Sequence, residues 1–263
     1  MLAAVLAREG FQAPGTEDFV WPPIWTIHLF GFDLGINRSS LLIILAALLV
    51  AVLFLIAFRR PRVVPRGLQN AVEVGVDFVR RQIVLEVIGR QGLRFVPYLT
   101  TLFFFIFFAN VLEIIPPVNF PATSRMAVPA LLALCSWVLF NVVGMREQGV
   151  GTYWRNTLFP PGIPWLMYVL IAPIEFVSTI LVRPVTLSVR LLANMIAGHL
   201  ILSVFFLGTV YLVARPLTVP FAVPAYLFSV ALVGFELLVA GLQAYIFTIL
   251  TAVYLAGAME PEH

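Results

Sequence analysis

Several ionisable or polar side chains stand in segments of the chain that are otherwise apolar. They are Glu175, Arg183, Arg190 and His199 in one long segment and Glu236 with Gln243 in the last. A charge at the centre of a bilayer costs about 3 kcal/mol on insertion scales, so such groups are expected to face an aqueous path or one another. Histidine and glutamate suit proton relay because modest environmental changes bring their pKa values near neutral pH. Arginine keeps its proton in proteins and suits a fixed positive barrier.

The spacing around Arg190 predicts a polar stripe on one helix. Intervals of four, three, four and four residues separate Thr179, Arg183, Thr186, Arg190 and Asn194. By helical rise, His199 lies ~13 Å from Arg190 toward the outside and Glu175 ~22 Å from it toward the cytoplasm. For Arg183, an inert ion pair or a side chain that reaches the membrane surface is an alternative reading. Small residues near Arg190 (Ala193, Ala197 and Gly198) indicate either close approach of another helix or ordinary helix packing.

The last apolar segment carries a matching pair of polar residues. Glu236 and Gln243 are seven residues apart, which is two turns along one helix face. If the last two segments pack antiparallel, Gln243 lies level with Arg190 while Glu236 approaches His199. This arrangement predicts an outer titratable pair, a central cation and an inner carboxylate, as two proton half-paths divided by a positive barrier require.

Composition identifies the elements that position these residues as membrane helices. Hydrophobic residues make up 61% of the chain and charged residues 11%, and the mean hydropathy is +1.01. A soluble protein needs more charge to keep its surface hydrated, so the sequence predicts an all-α polytopic membrane protein. The net charge of +3 does not indicate nucleic acid, because eight of the sixteen arginines lie between Arg59 and Arg94, beside an apolar span.

Hydropathy predicts five membrane helices and one amphipathic surface helix, with the last two membrane helices long, tilted and packed antiparallel. A spanning helix needs ~20 apolar residues. After an outside segment, 1–40, a single membrane domain covers 41–258 and a cytoplasmic tail covers 259–263. Within it we predict a first span at 41–58, a surface helix at 67–94, a hairpin at 97–115 and 128–143, and long channel helices at 164–207 and 221–258. The arginines after residue 58 place the N-terminus outside and the C-terminus in the cytoplasm.

Two of these elements leave alternatives open. The 67–94 helix has an apolar face and a charged face, which indicates either a helix on the membrane surface or a linker helix packed on a partner protein. The 164–207 segment is too long for one upright span. It is therefore strongly tilted, kinked at Pro173 or Pro184, or broken.

Two runs of residues carry a family resemblance. The first is Arg-Pro-Val-Thr-Leu-Ser-Val-Arg-Leu-Leu-Ala-Asn-Met-Ile-Ala-Gly-His, from Arg183 to His199, and the second is Gln-Ala-Tyr-Ile-Phe-Thr-Ile-Leu-Thr-Ala-Val-Tyr, from Gln243 to Tyr254. Together they resemble the signatures of subunit a of F-type ATP synthase. The order of elements also fits that family, and the resemblance covers the chain beyond about residue 40.

The resemblance implies a role for each polar position. Arg190 matches the family's essential arginine, which faces the rotating ring of c subunits, and Asn194 and Gln243 match its polar neighbours. His199 and Glu236 match paired channel positions, in the histidine-first order of mitochondrial and many bacterial members. Glu175 falls near the carboxylate associated with the cytoplasmic half-channel.

The resemblance also implies the setting. The chain is expected to be a stator proton-channel subunit in a bacterial plasma (inner) membrane, with the c-ring, b-type peripheral stalk subunits and, indirectly, the F1 sector as partners. Two offset half-channels would carry protons to and from a ring carboxylate, and Arg190 would prevent leak. We expect a non-catalytic subunit of an enzyme complex, with no cofactor and no metal, since the sequence has no phosphate-binding loop.

Two other classes compete with this interpretation. A secondary transporter predicts repeated halves around a midplane substrate pocket, and the sequence shows no internal repeat. A scaffold subunit of a respiratory complex does not need titratable groups spread through the membrane depth. Sodium as the transported ion stays open, because its ligands would lie on the ring.

Overall fold

The computed structural model describes Gly15 and residues 25–29, 32–36, 38–115, 126–159, 167–215 and 217–259. Two strands, β1 (Trp25–Leu29) and β2 (Phe32–Ile36), pair antiparallel in the N-terminal region. The helices are α1 (Arg38–Phe58), α2 (Leu68–Phe78), α3 (Val96–Ile114), α4 (Ala127–Gln148), α5 (Val150–Leu158), α6 (Tyr168–Val177), α7 (Arg183–Val213) and α8 (Val219–Met259). Short π-helical segments cover Val79–Leu85 and Ser178–Val182, and a 3₁₀-helix covers Arg90–Phe95.

Five helical stretches of the described chain are long and apolar enough to cross a membrane, which confirms the predicted fold class. They are Ser39–Phe58, Arg90–Leu112, Ala127–Gln148, Tyr168–Val213 and Val219–Met259. Helix α8 alone has 41 residues. At ~1.5 Å per residue it is roughly 60 Å long, twice the hydrocarbon thickness, so it must tilt steeply or extend beyond the membrane.

The amphipathic segment is divided where a single helix over 67–94 was predicted. Helix α2 runs on through the π-helical segment and then stops, because Gly89 adopts a φ of 79° that α-helices do not use. Its apolar face is buried: Val72, Val79 and Ile83 are almost inaccessible to solvent. Helix α3 covers part of this face, since a β-carbon at Gly75 would lie 3.2 Å or less from the Phe104 ring. The segment therefore packs within this chain through Val72, Val79 and Ile83, whereas Leu68 at its start stays exposed.

The long fifth segment is helical from Tyr168 to Val213, with a π-helical insert at Ser178–Val182. In this insert the Arg183 amide donates to the Ser178 carbonyl, five residues back. The same pattern would pair the Thr179 carbonyl with the amide of residue 184, but Pro184 has no N–H. The Trp137 indole on α4 donates to that carbonyl instead, at 3.0 Å. A proline and a tryptophan together thus explain the irregular turn before Arg183.

Several boundaries differ from those expected from hydropathy. Helix α4 continues to Gln148, and α5 occupies a region that was predicted to be a loop. The β1–β2 hairpin was not predicted either. Parts of three predicted regions lie outside the described residues: the outside loop at 116–126 apart from Met126, the first three residues of the 164–207 segment, and the 259–263 tail apart from Met259.

The chain forms two compact units. The first unit comprises residues 1–46, 107–124 and 193–242, and the second comprises 47–106, 125–192 and 243–263. The core of the second unit joins α3, α4, α5 and α8 around the π-helical segment that follows α2. In the first unit α7 and α8 pack antiparallel: the rings of Phe205 and Phe228 lie 4.7 Å apart. In the second unit the same two helices meet where Arg183 contacts Tyr254.

Candidate functional site

Glu236 on α8 lies directly over Gly198 on α7, within the first unit. A β-carbon built at Gly198 would lie 2.7 Å from Glu236 Cδ and closer still to both carboxylate oxygens. With the carboxylate in this position, only a residue without a side chain fits beneath it, and a larger residue would displace the carboxylate. The neighbouring residue, His199, interacts electrostatically with Glu236. The structure therefore brings the predicted outer pair together.

The antiparallel packing of α7 and α8 explains this contact. In an antiparallel pair, residue numbers rise on one helix as they fall on the other, so the sum of facing numbers stays nearly constant. Phe205 and Phe228 face one another seven and eight residues from Gly198 and Glu236. The two contacts therefore belong to one register. The hydroxyl of Ser229 on α8 donates to the Ala225 carbonyl of its own helix, so it does not compete for the Glu236 carboxylate.

Arg190 lies on an exposed face of α7, in the part of that helix that belongs to the second unit. Val182, Val185 and Val189 share this exposure, while Leu187 and Leu191 point into the core. Within the described residues, no carboxylate forms an ion pair with Arg190. A cation among exposed valines on a membrane helix is costly unless a partner or water reaches it.

The predicted polar stripe is interrupted before it reaches Arg190. Thr179 is fully buried, whereas Thr186 and Arg190 are exposed. The π-helical insert between them adds residues to a turn and rotates the following face relative to an ideal α-helix. The hydroxyl of Thr186 donates to the Val182 carbonyl of its own helix. Strict α-helical spacing was therefore the wrong template for Thr179, because it ignored the effect of Pro184.

Gln243 is buried on α8 in the second unit, 5% exposed. The register of Arg183 against Tyr254 places Arg190 opposite residue 247 of α8, so Gln243 lies about one turn, roughly 6 Å, from the level of Arg190. Among the described protein groups, none accepts a hydrogen bond from Gln243 Nε2. Asn194, on the part of α7 in the first unit, is half-buried.

Glu175 lies on α6, two residues after Pro173, and is half-buried in the second unit. Its carboxylate makes no hydrogen bond or ion pair with the described residues. The structure thus does not join Glu175 to another titratable group.

The sequence interpretation missed two polar features. Arg183 lies over the ring of Tyr254, 5.3 Å from its centroid, and its charge also acts on Tyr153 of α5. Asn110 on α3 is 4% exposed, and neither polar atom of its side chain pairs with a described group. An amide alone in an apolar run was the available signal for Asn110. No sequence pattern indicated the contact between Arg183 and Tyr254, because they are 71 residues apart.

Comparison with known proteins gives a consistent result. Residues 40–256 match the family model described as ATP synthase A chain. Proteins called ATP synthase subunit a are similar over almost the whole chain: that of Frankia alni is 48% identical, covering 97% of this chain and 88% of its own length. The protein of a Parafrankia species is 49% identical (97% and 86% covered), and that of Rhodococcus erythropolis is 44% identical (98% and 94% covered).

Proposed function

The chain belongs to the ATP synthase A chain family, a multi-pass bacterial membrane protein of the synthase membrane sector, and from this premise we propose that it forms two offset proton half-channels separated by Arg190. The observation that carries the proposal is Arg190 itself: a cation without a carboxylate partner among the described residues, exposed between valines of a membrane helix. Such a group is stabilised if a carboxylate of another subunit passes it.

The outer half-channel passes Glu236 and His199. A carboxylate and an imidazole close together, the carboxylate enclosed against Gly198, suit stepwise transfer of a proton. A proton that enters from outside is passed by these groups to a carboxylate on the c-ring. Neutralisation allows that carboxylate to enter lipid, and the ring turns.

Arg190 acts where the proton leaves the ring carboxylate for the cytoplasmic half-channel. An opposite charge within ~4–6 Å lowers a carboxyl pKa by ~1–3 units, so a ring carboxylate beside Arg190 releases its proton. The proton leaves past Glu175 toward the cytoplasm, and Gln243 and Asn194 supply polar groups near the arginine. Because Arg190 does not deprotonate, it blocks direct transfer between the two paths.

The partners and orientation follow from this proposal. The c-ring faces the exposed side of α7 that carries Arg190, b-type stalk subunits hold the chain still, and the F1 sector is coupled indirectly. The arginine-rich turn after α1 lies in the cytoplasm, with the N-terminus outside and the C-terminus inside.

Substitution of Arg190 tests the central claim. In the complete synthase reconstituted into vesicles, we expect Arg190→Ala to abolish proton-driven ATP synthesis and to raise passive proton leak, because the barrier is lost. Arg155→Ala removes an exposed arginine of α5 and is the matched control, with synthesis unchanged. Synthesis at the wild-type rate in Arg190→Ala contradicts the proposal.

Substitution of Glu236 tests the outer path separately. Glu236→Gln keeps the size of the side chain but removes its titration, so ATP-driven proton pumping is expected to slow at least tenfold while passive leak stays low. The difference between high leak in Arg190→Ala and low leak in Glu236→Gln distinguishes a barrier from a relay. Unchanged pumping in Glu236→Gln excludes the relay role.

A further inference from the structure

A cavity lies at the end of α1, where the chain turns toward α2, entirely within the second unit. Its volume is about 470 Å³, and four arginines line it: Arg59, Arg60, Arg62 and Arg66. The other lining residues are Ile56, Ala57, Leu68 and Gln69, of which all but Gln69 are apolar. A concave site with four guanidinium groups and apolar flanks is unusual on a surface that performs no assigned task.

The positive charge in this cavity is not neutralised by the described part of the chain. Ion pairs there join Arg81 to Asp77 and Arg94 to Glu147, and neither involves the cavity. The nearby carboxylate of Glu73 is engaged by Gln69, whose amide nitrogen donates to it at 2.7 Å. Four like charges in one cavity repel one another, so an anionic ligand stabilises the site.

The turn that carries the arginines is held in one conformation. Buried Gln69 accepts a hydrogen bond from the Arg62 amide at 3.2 Å and donates to the Arg62 carbonyl at 3.0 Å. Pro61 and Pro65 restrict the backbone on either side of Arg62. The binding groups are therefore presented before a ligand arrives, which lowers the entropy cost of binding.

The position of the cavity relative to the membrane indicates which class of anion it binds. It follows directly on the membrane helix α1, and the neighbouring Val63 and Val64 are largely or fully exposed. Exposed valines beside arginines match the boundary between acyl chains and headgroups. Guanidinium groups bind phosphate oxygens in bidentate fashion, and basic pockets at the cytoplasmic membrane face bind anionic lipid headgroups.

We propose that this cavity binds the headgroup of an anionic phospholipid, with the phosphodiester held by the arginines of the 59–66 turn and the acyl chains lying against Ile56 and Leu68. A soluble anion satisfies the guanidinium groups but leaves the apolar wall uncovered, which favours the lipid. The site is independent of the proton path, because none of its residues belongs to it.

Lipid titration of the purified full chain in detergent tests this proposal. Native mass spectrometry counts the phosphatidylglycerol or phosphatidylcholine molecules bound to wild type and to a variant with Arg59, Arg60, Arg62 and Arg66 replaced by glutamine. We expect wild type to prefer phosphatidylglycerol at least tenfold, and the variant to lose at least tenfold in affinity for it. The matched control replaces Arg80, Arg90, Arg146 and Arg155 by glutamine, which removes the same charge elsewhere.

A further variant separates a shaped site from diffuse attraction. Gln69→Leu keeps all four arginines but releases the turn, so we expect an intermediate loss of phosphatidylglycerol affinity. Equal losses in the cavity variant and in the control variant overturn the proposal in favour of general charge attraction. Displacement of the lipid by millimolar inorganic phosphate overturns it in favour of a soluble anion. Absence of bound phosphatidylglycerol from the intact synthase, with binding only to the isolated chain, shows that a neighbouring subunit covers the site and also overturns it.

Discussion

Gly198 and Gly144 are two of the described glycines over which a side chain leaves no room for a β-carbon, yet those side chains differ in kind. Gly198, in the first unit, lies under the carboxylate of Glu236, which is the far end of a flexible side chain. Gly144, in the second unit, lies under the ring of Tyr153, where a β-carbon would be 2.6 Å from Cδ2. The first glycine makes room for a titratable group and the second for a structural ring.

The two glycines differ in how firmly the side chain that packs on each of them is held. Tyr153 is 4% exposed, and its hydroxyl donates to Asn141 at 3.1 Å. Asn141 in turn donates to the Trp137 carbonyl, so the ring cannot move without breaking a buried network. Glu236 is half-buried, and its carboxylate is the far end of a flexible side chain. Glycine is thus required at both positions, at Gly198 to place a titratable group and at Gly144 to pack a fixed ring.

The largest expected effect is the functional loss in Gly198→Ala. The added methyl group displaces the Glu236 carboxylate from His199, and misplacement of a reacting group by about 1 Å costs up to ~100-fold in rate. We expect ATP-driven proton pumping by the reconstituted synthase to fall about tenfold or more. The unfolding free energy changes by less than about 1 kcal/mol, because the flexible carboxylate moves rather than the backbone.

Gly208→Ala is the matched control for this prediction, since a β-carbon there meets no atom within 4 Å. Adding Glu236→Asp to Gly198→Ala shortens the carboxylate and is expected to recover part of the pumping rate. Normal pumping in Gly198→Ala means that the contact with Glu236 is only packing.

Gly144→Ala is expected to lower the stability of the fold rather than the rate of proton pumping. The hydrogen-bonded Tyr153 ring cannot yield, and inserting a methyl group into a packed core costs about 1–3 kcal/mol. Chemical denaturation of the full chain in detergent measures this loss. Gly151→Ala on α5, where a β-carbon meets no atom within 4 Å, serves as the control. A stable Gly144→Ala variant with slow proton pumping reverses the assignment of the two glycines.

Tyr153→Phe separates the ring from its hydroxyl and has a smaller effect. Loss of the hydrogen bond to buried Asn141 is expected to lower the unfolding free energy by about 1–2 kcal/mol. Burial raises the pKa of Tyr153 above its ordinary value of about 10, against the opposing charge of Arg183. The folded chain therefore keeps this proton longer than the unfolded chain, so its stability falls as the pH rises above 10.

Denaturation of wild type and Tyr153→Phe between pH 8 and 11 measures this dependence, which the phenylalanine variant should lack. Tyr226→Phe, at an exposed position of α8, is the control and should behave like wild type. An identical alkaline slope in wild type and Tyr153→Phe assigns the pH dependence to other groups.

The smallest effect is expected for Arg94→Gln, which tests a contact that is exposed rather than enclosed. Arg94 pairs with Glu147 at 2.6 Å, but the side chains are 50% and 40% exposed. Exposed ion pairs contribute about 0–1 kcal/mol and are screened by salt. The unfolding temperature of Arg94→Gln should be lower than that of wild type at low ionic strength, and the two temperatures should agree at high ionic strength. A loss as large as that in Gly144→Ala contradicts the contrast between enclosed and exposed contacts.

Much of the fold was predictable, because membrane helices need long apolar runs and the chain has five of them. The predicted 67–94 helix was wrong in its interior, since the break depends on the conformation of Gly89. Helix α5 was missed because it is short and has as many polar as hydrophobic residues, and its stability comes from Tyr153 packing into the core. The approach of Glu236 to His199 was predicted from antiparallel register alone, and in the structure Glu236 packs on Gly198, the residue next to His199.

By itself the sequence determined the class of protein, its membrane helices and the charged residues within them, because hydropathy and charge are properties of individual residues. Only the tertiary structure decided that Gly198 faces a carboxylate and Gly144 a fixed ring, that Thr179 leaves the stripe of Arg190, and that four arginines share one cavity. The contact of Gly198 with Glu236 depends on residues from distant parts of the chain, and the irregular turn at Thr179 and the arginine cavity depend on backbone conformation, neither of which hydropathy encodes.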